Sequence, residues 1–227
     1  MTERKFNMKT RKYRSTMTAL ALTAMTAALT LTAPAVAAEA GDNQKISATE
    51  FRNSMRKLWE DHIIWTRLYI VSAAANLPDK GPTTERLLQN QVDIGNAIKP
   101  FFGDAAGSKL TALLKDHILG AADLIAAAQT GDKAKIDAAS AKWYANGDEI
   151  AAFLSGANPK HWPPADMKSE MRMHLDLTLA EATARLHGDY AEDIRQFDKI
   201  HQHILHMADI LSDGIVAQFP HKFEGKR

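Results

Sequence analysis

Lys115–Asp123 reads KDHILGAAD, and Arg172–Ala180 reads RMHLDLTLA. Each stretch carries a His in third position among apolar residues, and a Gly-Asp pair begins fourteen residues after each His: Gly131-Asp132 and Gly188-Asp189. Apolar residues recurring every three or four positions mark one face of a helix. Glycine closes a helix in the left-handed conformation and aspartate opens the next. Both stretches therefore read as the first arm of a helical hairpin. A looser third copy begins with Glu60-Asp61-His62-Ile63. The second arms also correspond, carrying Asp93-Ile94, Glu149-Ile150 and Asp209-Ile210. The unit is a hairpin of about 55 residues, used three times.

The rest of the chain agrees. Ser47 to Glu50 is a capping box opening a helix that runs to about Asn76 and stops at the Pro78–Pro82 turn. A second helix is expected from Thr84 to Lys99, ahead of Pro100, and a third from Ala105 to Gln129. The fourth runs from Asp132 to Ser155, the fifth from Pro164 to His187, and the sixth from Asp189 to just before Pro220. No segment alternates with period two, so no sheet is expected. The fold class is all-α: a six-helix bundle built from three antiparallel helical hairpins, spanning residues 47–220 with a tail over 221–227. The core stripes are Met55, Leu58, His62, Trp65 and Tyr69 on the first helix, Leu110, Leu114, His117, Ala121 and Leu124 on the third, and Met167, Met171, His174, Thr178 and Ala182 on the fifth.

Composition narrows the function. The chain has 227 residues, with 28 basic and 27 acidic side chains and no cysteine. Six of the bases and only one acid fall in residues 1–37, where Arg4–Arg14 precedes a mild apolar run, Met17–Ala33, and the small-residue site Ala35–Ala37. This is the pattern of a cleaved signal peptide, too short and too rich in threonine for a transmembrane span. Residues 38–46 are a small, polar lead-in. The expected mature protein is periplasmic or secreted, with no membrane span after cleavage. It is mildly acidic, with 22 bases against 26 acids, which argues against nucleic acid as a partner. Absence of cysteine excludes disulfides, thiolate metal sites and covalent haem attachment. No phosphate-cradling glycine loop and no Gly-x-Ser-x-Gly elbow are present.

The candidate chemistry lies in the histidines. His62, His117 and His174 each sit on the apolar stripe of a first arm. Residues on antiparallel helices face one another when they lie equally far from the turn. By that rule His62 faces Asp93, His117 faces Glu149, and His174 faces Asp209 or, with a slightly better fit, His206. Two outcomes follow. Each carboxylate satisfies a buried ring and the layer is structural. Alternatively His62, His117 and His174 are metal ligands, with Asp93, Glu149, Asp209 or His206 as co-ligands or orienting partners. Iron, manganese, zinc and copper all suit such a donor set. Hydrolytic or redox catalysis would need an open coordination position. A shared ion requires the three imidazoles within a few ångströms of one point. The sequence leaves open whether His201, His203 and the Met167, Met171, Met173 cluster take part. A metal-free envelope scaffold, and an organic-ligand pocket near the tryptophans flanking His62, are the readings from other classes.

Leu58–Arg67 (LWEDHIIWTR), with Asp93–Pro100 and Leu114–Gly120, resembles a group of small exported bacterial proteins of uncharacterised activity. The resemblance implies an exported, all-helical chain and carries no activity with it.

Overall fold

The computed structural model describes residues 46–223. The expected leader over 1–37, and the lead-in as far as residue 45, lie outside them. The described residues form six long helices: α1 Ala48–Ala74, α2 Lys80–Phe102, α3 Asp104–Thr130, α4 Lys133–Ala157, α5 Pro164–Leu186 and α6 Tyr190–Gln218. A 3₁₀ turn, Pro220–Lys222, follows. The start signals act as the sequence suggests. Ser47 accepts from the Glu50 amide, Asp132 from Ala134 and Lys135, and Asp189 from Glu192.

Helix α2 is longer at both ends than expected. It starts at Lys80 because Pro82 lies in the first turn, where a missing N–H has no helical partner to lose. It continues through Pro100 to Phe102 and ends at Gly103, whose φ of 85° is left-handed. The tail expected over 221–227 begins by packing on the bundle, since Phe223 is buried against Phe51 and Phe101.

The helices close a ring in chain order, each against its neighbours and α6 back against α1. Helix α1 also reaches across to α3 and α5. The first arms of the three hairpins thus turn toward one another, and their apolar stripes meet in the middle. One large core runs along the bundle, and a smaller cluster around Tyr69, Ile70, Leu87, Ile118 and Ile125 fills the end near the hairpin turns. Arms α2 and α3 touch backbone to backbone, because a Cβ on Gly95 would stand 2.6 Å from the Gly107 carbonyl oxygen.

A buried ionic group ties three helices together. Arg67 of α1 donates to Glu181 of α5 at 2.8 Å and to Asp193 of α6 at 2.7 Å, and Arg185 joins Asp193 at 3.3 Å. Burial pushes the Glu181 carboxyl up to about 7 despite the guanidinium beside it. No described helix is long and apolar enough to cross a membrane.

Candidate metal centre

His62, His117 and His174 are all buried, at 2–3% exposure. Their rings gather in one layer with His174 at its hub. Its centroid lies 5.6 Å from that of His62, 5.8 Å from His117 and 6.4 Å from a fourth imidazole, His203 of α6. The edge of Trp59 covers His62, and Trp143 stacks on His117 at 5.2 Å. Burial pushes the His62 ring down to about 3 and His117 to about 4, and His174 lies well below the ordinary value. The like rings add to the effect at His62 and His174. All three are neutral at physiological pH, the form in which imidazole offers a lone pair.

The acids expected opposite these rings are elsewhere. Asp93 accepts from Gln89 and lies 4.0 Å from Arg86 at the surface. Glu149 is exposed. Asp209 is taken by Arg56, with a 2.6 Å bond to its Nε. His206 is 63% exposed. The facing positions hold Gln91, Asn146 and His203 instead. The geometric reason is shared by all three hairpins. The chain reverses at a left-handed residue fourteen positions after each His: Asn76 (φ 50°), Gly131 (φ 70°) and Gly188 (φ 77°). The facing residue is then 29 positions after the His, as in His62–Gln91 and His117–Asn146. His174 and His203 have the same separation. Asp93, Glu149 and Asp209 lie 31, 32 and 35 positions after their histidines, beyond the facing position, and point away. A constant offset of 29 between polar residues was the signal available in the sequence.

The hydrogen bonds fix which ring atoms are free. Asn146 donates through Nδ2 to the Leu113 carbonyl at 3.1 Å, so its Oδ1 faces the ring. His117 Nδ1–H therefore donates to that oxygen at 3.1 Å, leaving Nε2 with the lone pair. His203 repeats Asn146's backbone contact, donating from Nε2 to the Glu170 carbonyl at 3.1 Å. Its Nδ1 is left bare. Gln91 Nε2 has two hydrogens for three acceptors, Leu87 O at 2.8 Å, Asn90 Oδ1 at 3.1 Å and His62 Nδ1 at 3.3 Å. The ring is the most weakly held of the three.

His174 Nδ1 has no hydrogen-bond partner at all. Six buried side-chain polar atoms among the described residues share this condition, and four belong to the layer: Trp59 Nε1, Gln91 Oε1, His174 Nδ1 and Glu170 Oε2. Buried polar atoms are normally paired, so four unpaired ones gathered here depart from the usual pattern. Among the described residues no three His, Asp or Glu side chains already converge on one coordination point. Of the remaining candidates, His201 is paired with Glu60 at 2.8 Å, Met167 and Met171 are buried core residues, and Met173 is exposed.

A cavity of about 670 Å³ lies on the turn side of the layer, between α3, α4 and α5. Trp143, Leu124, Ile125 and Leu179 line it, and Trp143 forms the wall between it and His117. No family model, curated protein or solved structure matches this chain.

Proposed function

We propose that this chain is an exported protein that binds a transition-metal ion in its interior imidazole layer, through His174 with His62 and His117. The observation that carries the reading is the buried, unpartnered Nδ1 of a neutral His174, with two further neutral rings 5.6 and 5.8 Å away. Two imidazoles that share one ion at about 2.1 Å hold their ring centres roughly 5–6 Å apart. The spacing therefore suits a shared ion, and rotation of the rings about Cβ–Cγ would aim their nitrogens inward. The Asn146 bond to His117 supports the same reading, because it supplies the outer hydrogen bond that a metal-bound imidazole normally makes. With two amides and an imidazole rather than carboxylates at the facing positions, the donor set favours zinc, copper, iron or nickel over manganese.

The test is titration of chelator-stripped full-length protein with Zn²⁺ and Co²⁺, followed by calorimetry and the Co²⁺ visible spectrum. One interior equivalent is expected, with a spectrum typical of nitrogen ligation. His174→Leu should abolish that equivalent and His117→Asn should weaken it at least tenfold. Uptake unchanged in both variants, or no uptake by the native sequence, would overturn the reading in favour of a metal-free scaffold.

A further inference from the structure

The third hairpin departs from the second in one respect. In the second hairpin the facing side chain uses one polar atom on a backbone carbonyl and the other on the histidine. In the third, His203 makes the carbonyl contact but turns its remaining nitrogen toward a carboxylate. His203 Nδ1 lies 3.7 Å from Glu170 Oε2, and His206 Nε2 lies 3.9 Å from Glu170 Oε1. The Nε2–H of His203 is committed to the Glu170 carbonyl at 3.1 Å, so Nδ1 presents a lone pair to an anionic oxygen. Glu170 Oε2 is itself buried without a hydrogen bond. Two acceptors facing each other in a buried place repel unless a cation lies between them.

We propose that Glu170, His203 and His206 form a second cation site, for a divalent transition metal of the zinc class, at the outer edge of the imidazole layer. The donors are one carboxylate and two imidazoles, a set suited to zinc and its neighbours in the first row. Two ligand atoms on one tetrahedral ion at about 2.0–2.1 Å stand roughly 3.3 Å apart, so each imidazole, at 3.7 and 3.9 Å from its own Glu170 oxygen, must draw in for the three donors to meet at one point. His203 and Glu170 are fixed on packed helices, with His203 only 8% exposed. His206, at 63% exposure, supplies the movable ligand and a route from solvent. Asp209, one turn beyond His206, does not compete for the ion, because Arg56 holds it.

The site shares no ligand with the interior one, so the two can be separated by mutation. Zn²⁺ titration of the stripped full-length protein by calorimetry, with the folded state checked by circular dichroism, should resolve an additional equivalent. Glu170→Gln and His206→Ala should each weaken that equivalent at least tenfold while leaving the interior equivalent intact. His206 is largely exposed, so its replacement keeps the packing and the loss is read on a folded bundle. His174→Leu should have the reverse effect, abolishing the interior equivalent and sparing the outer one. Zinc affinities within twofold of the native protein in both Glu170→Gln and His206→Ala would overturn the outer site, whatever happens at His174. An equivalent that survives His174→Leu but is lost in Glu170→Gln would sustain the outer site and remove the interior one.

Discussion

The three inward histidines are alike in burial and unlike in satisfaction, and this difference sets what each replacement does. His117 donates to Asn146, so His117→Ala removes the ring and strands an amide oxygen. A loss of about 2–3 kcal/mol is expected in urea unfolding of the metal-free protein. His174 leaves a nitrogen unpaired. His174→Leu fills similar space without that nitrogen, so the metal-free protein should be as stable as the parent or more so, by about 1 kcal/mol. A loss of 2 kcal/mol or more would mean that His174 has a partner after all. Acidity probes the whole layer. The folded rings of His62 and His117 titrate near 3 and 4, against about 6.5 in the unfolded chain. Below pH 6.5 the unfolded state takes up protons that the folded state refuses. Stability is therefore full above 6.5 and falls as the pH drops toward 4, by about 1.4 kcal/mol per unit for each such ring. Glu181, raised to about 7, acts in the opposite sense between 7 and 4.5. One carboxyl against three imidazoles leaves acid destabilising overall. A urea midpoint that stays level from pH 6.5 to 5 would refute neutral burial of the layer.

At the level of the helix and the hairpin, local chemistry wrote much of the outcome into the sequence. Ser47, Asp132 and Asp189 are caps by residue type, and Gly131 and Gly188 are left-handed because only a residue without Cβ adopts that state freely. The stripes of α1, α3 and α5 located the buried histidines by periodicity alone. What periodicity does not supply is the axis about which a hairpin folds. Asn76 adopts the left-handed conformation without being glycine, so the first turn looked as though it belonged to Pro78. The carboxylates nearest the level of the rings are Asp93, Glu149 and Asp209, whereas a dry interior is better served by the neutral amides of Gln91 and Asn146. Pro100 misled in another way: near a helix end it removes one hydrogen bond without stopping the helix. The shared turn geometry has a test. Gly131→Ala and Gly188→Ala occupy equivalent places, so each should cost about 1–2 kcal/mol, and by similar amounts. Costs that differ by more than about 1 kcal/mol would argue against a common hairpin geometry.

Across the whole molecule, cohesion depends on α1, which touches α2, α3, α5 and α6. Its most buried ionic tie is Arg67, held between Glu181 and Asp193. Arg67→Met would leave the buried Glu181 carboxyl without its cation and Asp193 with Arg185 alone. The expected loss is about 3 kcal/mol at pH 8, shrinking as the pH falls and Glu181 takes a proton. An unfolding midpoint indifferent to pH in that variant would show that the carboxyls do not feel each other. Ring closure has another consequence. Ile46, just before α1, forms a parallel bridge with Phe223, just after the last turn. The order of the helices around the ring is thus independent of where the polypeptide is cut. A circularly permuted chain, with residues 46 and 223 spliced through a short flexible linker and new termini opened at Gly131, should recover the same architecture and the same cluster of imidazoles.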